Sequence, residues 1–508
     1  MKTKFIIYII LIAGFTACTK DLDQAPISQA SEANFFRNTA DFEVAVNGMY
    51  QSLLAGEYGV NQFEMAEIRS DNVYSPGTSG VRDWLPLNNF ESTLSTNPYI
   101  NALWQNDFNG ILRTNSILDR LDASLVPDNT TRARMEGEAK FFRAFYYFDL
   151  VRFVGKVPLF DHVATPTEAL EIGRSPVSEV YELIISDLQT AISNLPATYP
   201  STMLGKVTTN AAKGILALVY LTRSGPDYGI EGPGLGTNDY AAAIPLLNEI
   251  ISSGIYSLQP TYAKVFEYGN EHNSEIIFDI EAVDDGTTNN SGLGTILPTD
   301  MYPGAFAVAS KKITFQGGVD GDGYKEPSAD LLNSFEPNDV RDDFSIQMGF
   351  TDVNGNMVNS PFFIKFLDTL HAPLERFNWP VNYPILRYAD VLLMKAEAIL
   401  RGGSGGTQAE VDALVKQVRD RAGLSGTVLT NVTLDQLLTE RRHEFMAEGK
   451  RWHDLVRCGK VLTTMAAFDA SDDVSNKMNP VKADYIIYPF PQSQLSINPG
   501  LYTQNPGY

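Results

Sequence analysis

The sequence predicts a mainly α protein in which stacked helical hairpins carry a large loop-rich region with little β structure. Three observations lead there. Apolar residues recur at three- and four-residue spacing over long stretches, the period of a helix. Strict alternation of apolar and polar residues, the mark of half-buried strands, is scarce. The polar segments between the helical stretches, rich in Gly, Pro, Asn and Asp, are too long to be simple connectors. Helices form the frame on this reading, and the loops form the working surface.

The helical patterns lie at about 38–54, 98–121, 131–154, 176–194, 208–223, 239–253, 384–401, 408–422 and 433–459. The third is the most informative. Met135, Ala139, Phe142, Tyr146, Leu150 and Phe153 make one apolar stripe, and Phe141, Phe145 and Phe148 a second. A helix apolar on two sides must be covered on two sides. Glu275 to Val283 reads as a strand, and Arg401 to Gly406 as a flexible turn between two helices. The loop segments are about 55–97, 225–238, 255–380 and 461–508; their aromatic residues predict ordered loops.

The chain of 508 residues has 61 acidic against 39 Lys and Arg residues and a net charge of -22. Such a surface repels polyanions, which excludes nucleic acid as a partner, and no basic run offers a membrane patch. Lys2 and Lys4 precede an apolar run from Phe5 to Phe15, followed by Thr16, Ala17 and Cys18. Residues 1–17 read as a secretory signal peptide, because the run is too short to span a bilayer. Small residues before a lone Cys resemble a lipobox, which predicts a lipid on Cys18 and one body over 18–508. With Cys18 acylated, Cys458 has no disulfide partner, and a chain of this length needs none.

Motifs for chemistry are weak. Glu440 to Arg457 is dense in Glu, Arg, His and Asp, yet it reads as an amphipathic helix. Leu434, Leu438, Phe445, Trp452 and Leu455 supply its stripe, and local ion pairs link Arg441 with Glu444, Glu448 with Arg451 and Lys450 with Asp454. His443-Glu444 lacks the second His of a zinc protease, and five His with one free thiol make another zinc cage hard to assemble. Asp320-Gly-Asp322-Gly-Tyr324 departs from a calcium loop at its fifth position, and Gly232 to Gly236 lacks the Lys of a phosphate cradle. No metal and no cofactor are expected. Any pair among the acids meets the formal need of a glycoside hydrolase, so abundance makes that reading uninformative.

Several segments resemble one family. They are Phe35–Tyr50 (FFRNTADFEVAVNGMY), Glu138–Leu159 (EAKFFRAFYYFDLVRFVGKVPL), Ser328–Ile346 (SADLLNSFEPNDVRDDFSI), Tyr383–Leu400 (YPILRYADVLLMKAEAIL), Val415–Leu424 (VKQVRDRAGL), Glu440–Arg457 (ERRHEFMAEGKRWHDLVR) and Tyr488–Tyr508 (YPFPQSQLSINPGLYTQNPGY). Together with Cys18 and the following Thr-Lys-Asp-Leu-Asp they resemble the SusD/RagB family of outer-membrane nutrient-binding lipoproteins. The resemblance implies a tetratricopeptide-like scaffold, a surface lipoprotein that captures an oligosaccharide, and a SusC-like TonB-dependent transporter as partner. It implies a binder, not an enzyme. A peptide-binding RagB-like protein and a helical-repeat assembly adaptor are the alternatives.

Sugar rings have apolar C–H faces ringed by hydroxyls, so a site needs flat aromatic platforms with short polar groups beside them. Trp104 and Trp452 fall on helical stripes and read as core. Trp84 and Trp379 lie in polar loops and are the expected platforms, with Tyr74, Tyr302 and Phe306 beside them. Asp83, Asn88, Asp71, Asn72 and Asn378 are the expected hydrogen-bonding partners.

Overall fold

In the computed structural model, residues 35–75, 82–287, 292–313, 315 and 325–508 are described. The expected signal peptide, the Cys18 anchor and the Asp320–Tyr324 segment lie outside the described residues. Successive long helices pack each on the next in a layered array. They are α1 (Thr39–Ala55), α2 (Pro98–Leu118), α3 (Asn129–Val154), α4 (Val177–Asn194), α5 (Thr209–Arg223), α6 (Tyr240–Ser252), α7 (Tyr388–Leu400), α8 (Gln408–Arg421), α9 (Leu434–Phe445), α10 (Arg451–Arg457) and α11 (Val461–Asp472).

Local chemistry sets the helix starts. The Asn38 side chain accepts from the Ala40 and Asp41 amides, Asn97 and then Pro98 open α2, and Asp128 caps α3 through Thr131 N. Both stripes of α3 are buried, and the helix packs against α2 on one side and α4 on another. Gly110 on α2 makes that closeness possible, because a Cβ there would stand 2.3 Å from the Tyr146 ring.

The expected strand is present as β1 (Ile276–Ile280), antiparallel to β2 (Tyr383–Arg387) with Asp279 opposite Pro384. Phe278 of β1 meets Phe141, Phe142 and Phe145 at centroid distances of 5.3, 6.3 and 6.1 Å, which joins strand and scaffold. Residues 384–387, expected to begin a helix, belong to β2 instead. The expected loops are also partly helical: Tyr58–Gln62 leads into a wide turn at Phe63–Glu67, and α11 opens the last segment.

The expected helix over 433–459 is broken between α9 and α10. Ala447 and Gly449 have φ of 62° and 66°, and their amides donate to the buried Glu67 carboxylate at 2.8 and 3.1 Å. Gly449 also sits where a Cβ would come within 2.7 Å of Gln62, so a glycine is required there. The expected local ion pairs are replaced by long-range ones. Arg441 reaches Asp390 and Asp454, Lys450 reaches Asp390, and Arg451 reaches Asp71.

At the centre, Arg387 at the end of β2 donates to Glu275 at 2.7 Å, Glu444 at 2.9 Å and Glu448 at 2.7 Å. Arg421 binds Glu275 and Glu444, Arg341 binds Asp339, Glu440 and Glu444, and Lys365 binds Glu448. Burial alone would raise the Glu444 carboxyl, but Arg421, Arg387 and Arg341 outweigh it and hold the group at about 2. Burial is likewise outweighed at Asp71, where Arg442 and Arg451 hold the carboxyl at about 2.

Removing the central guanidinium takes a shared cationic partner from three buried carboxylates at once. Arg387→Met should therefore cost about 3–5 kcal/mol in chemical denaturation; a loss under about 1 kcal/mol would show that the cluster is dispensable. The depressed carboxyls fix a pH dependence as well. Their stabilisation is complete above the unfolded carboxyl value of about 4 and disappears as pH falls toward about 2. The thermal midpoint should fall steeply across that window, and a flat profile there would contradict the assignment.

Candidate functional site

The structure corrects most of the expected platform. Trp84 is 1% exposed, with Lys325 Nζ 5.5 Å from its ring centroid, and Lys325 pairs with buried Glu64. Trp379 and Tyr302 are both fully buried in a second apolar cluster with Phe350 and Phe362. The Trp379 indole donates to Thr299 Oγ1 at 2.9 Å, and its backbone pairs with Thr295 in both directions at 3.0 Å. These rings are loop core. A loop segment this long needs its own interior, and its aromatics supply it.

The expected polar partners are mostly structural too. Buried Asn88 donates to the Ile68 and Val73 carbonyls. Asp71 is held by Arg442 and Arg451, Asn72 bridges Glu67 and Arg442, and Asn378 bridges Asp284 and Gly294. Asp83 is exposed, while Tyr74 and Phe306 are half-buried. Tyr74 pairs with Glu326 in a short strand, and Phe306 packs 4.9 Å from Phe362.

An open aromatic pair stands elsewhere. Tyr268 is 46% exposed and stacks on His371 with centroids 3.9 Å apart and planes 25° from parallel. Asp368 Oδ2 lies 2.7 Å from His371 Nδ1 and fixes the imidazole. The pair edges a cleft of about 800 Å³ that is also lined by Phe266, Phe344, Asp279 and Asn382. Phe266 stacks with Phe344 at 5.8 Å, and Lys365 and Arg387 of the buried ion cluster stand 4.7 and 5.5 Å from the Phe266 ring. The ionic centre therefore braces the back wall. On the cleft's floor the Asp279 carboxyl is pushed up to about 6, chiefly by burial, against the opposing hydrogen bond from Asn382.

Sequence reading missed Tyr268 and His371, because 103 positions separate them and neither stands in a recognisable motif. Tyr268, between Glu267 and Gly269 in a polar loop, was the one available signal. The pairing also escaped the search for metal ligands. Among the described residues His272, Asp279 and Glu281 bring three ligand atoms together beside this cleft.

Scaffold and cleft together define a helical-repeat protein with an open, aromatic-edged cleft built largely from loops. Comparison with known proteins narrows the class. Residues 267–508 match the SusD family, and residues 22–221 match a family described as starch-binding associating with outer membrane. SusD-like protein P2 of Formosa agariphila is 27% identical over the whole of both chains, and starch-binding protein SusD of Bacteroides thetaiotaomicron 24% identical over the same extent. The structure of surface glycan-binding protein A from Bacteroides thetaiotaomicron superposes with a TM-score of 0.78 at 25% identity, covering 93% of this chain and 100% of that one. A structure of that protein in complex with laminarihexaose superposes at 0.75 with 24% identity, covering 92% and 99%. The chain belongs to the SusD family.

Trp379→Ala should destabilise the protein by about 3–5 kcal/mol, as for other buried aromatics. Thermal and denaturant unfolding measure this; an unchanged midpoint would return Trp379 to the surface.

Proposed function

We propose that this protein is a cell-surface glycan-binding lipoprotein, anchored in the outer membrane through Cys18, that captures an oligosaccharide and delivers it to a TonB-dependent transporter. It binds and does not cleave. The observation that carries the reading is the exposed Tyr268–His371 stack at the mouth of the 800 Å³ cleft. A flat ring face meets the C–H face of a sugar, while Asp279 and Asn382 in the same cleft offer hydroxyl partners. Family membership supports the same class of ligand, and a relative of similar fold is described with bound laminarihexaose. Half-buried Tyr74 and Phe306 and exposed Asp83 are further candidate contacts.

One stacked ring contributes on the order of 1 kcal/mol, so capture by several such contacts stays weak enough for release. Tyr268→Ala and His371→Ala should each weaken binding of laminarihexaose, or of the glycan found by array, about 5-fold in calorimetry. The unfolding midpoint should stay within a degree or two, about what exposed positions allow. Equal affinity of Tyr268→Ala and wild type would remove the cleft from the binding site, and failure to bind any glycan on the array would overturn the reading. The transporter step predicts a TonB-dependent barrel in a pull-down from the native outer membrane.

A further inference from the structure

Beside the cleft, His272 and Glu281 converge on Asp279, one of the cleft's own lining residues. His272 lies on the loop that carries Tyr268, and Asp279 lies on β1 with Glu281 just beyond the strand's end. Residues 279 and 281 are two apart on extended chain, so they face the same side. One ligand atom from each of the three lies within 4.8 Å of the others, and His272 Nε2 stands 3.2 Å from Glu281 Oε1. That separation matches the edge of a tetrahedron around a metal with bonds of about 2.1 Å, which is roughly 3.4 Å.

The surroundings are those of a held ligand set. Asn382 donates to Asp279 Oδ2 at 3.0 Å, and its own oxygen accepts from the Ala282 amide, so the Asp279 carboxylate is oriented from behind. Gly205 crowds Glu281, since a Cβ there would lie 2.1 Å from Oε1. Charge is the independent argument. Many of the buried carboxylates face Lys or Arg: Glu275 has Arg387 and Arg421, Glu397 has Arg457, and Asp390 has Arg441 and Lys450. Asp279 is 6% exposed, and among the described residues no Lys or Arg forms an ion pair with it. His272 is the basic group beside it, and an imidazole with two carboxylates is a donor set that binds a cation.

We propose that His272, Asp279 and Glu281 bind a divalent transition metal of the zinc type. An imidazole with two carboxylates selects such an ion over calcium or magnesium, which prefer all-oxygen shells. Three protein ligands leave one position for water or a ligand hydroxyl. The ion ties the 267–273 loop to β1 and so steadies Tyr268, four residues before His272; this consequence rests on the glycan reading, whereas the ion site itself does not.

The test is calorimetry of zinc chloride and calcium chloride on the full-length protein after dialysis against EDTA. The expected result is one zinc site with a dissociation constant of about 10 µM or tighter and calcium far weaker. His272→Gln and Glu281→Gln should each lower zinc affinity by about 10- to 100-fold. His162→Gln, a control at an exposed His beside Asp161 and Glu168, should leave it unchanged. Zinc should also raise the thermal midpoint of wild type and the control, and not of Glu281→Gln, which reports on the folded variant directly. Absence of zinc binding, or zinc binding that survives both ligand substitutions, overturns the proposal. Glycan titrations with and without EDTA keep the two readings apart: zinc binding without glycan binding upholds the ion site and removes the glycan reading, and the reverse removes the ion site alone.

Discussion

The fourfold grip of Arg387 on Glu275, Glu444 and Glu448 is the constraint on which the rest of the structure depends. Its members come from the start of β1, the end of β2, the end of α9 and the break that follows it, so one guanidinium sets the relative position of four segments. Burying these charges costs several kcal/mol per ion before any attraction is counted. The pairing offsets that cost only when each donor meets its acceptor, and a slipped register would leave a bare charge inside. Apolar packing alone tolerates sliding; this cluster does not.

Three interiors accompany that arrangement: a large core shared by most of the helices, another cluster among α7, α8 and α9, and a separate one in the loops around Trp379 and Tyr302. The ion cluster touches the first two of these, with Arg387 over both Phe266 and Phe445 and Lys365 over Phe266. The cleft's aromatic wall at Phe266 is backed by Lys365 and Arg387, while its rim pairs Tyr268 with His371, whose imidazole is fixed by Asp368.

What was legible in the chain was whatever depends on near neighbours. Helix period and the double stripe of α3 are written within a few residues, and both were read correctly; the caps at Asn38, Asn97 and Asp128 are as local but went unread. The break after α9 depends on Glu67, some 380 positions away, so the local pattern from 433 to 459 read as one helix. Trp84 and Trp379 sit among polar neighbours because their covers, Lys325 and the Thr299 region, come from distant chain. Polarity of the flanking sequence reports loop, and it does not report depth. The Tyr268–His371 pair was hidden for the same reason in reverse: neither ring declares that it will be left open.

The separation of the loop interior from the helical cores bears on descent. Regions that keep their own interiors can each absorb substitutions without repacking the others. Relatives at about a quarter identity still superpose along nearly their full length, as expected when most substitutions are absorbed within a compartment. Changes confined to the smaller loop cluster then leave the packing of the helices undisturbed.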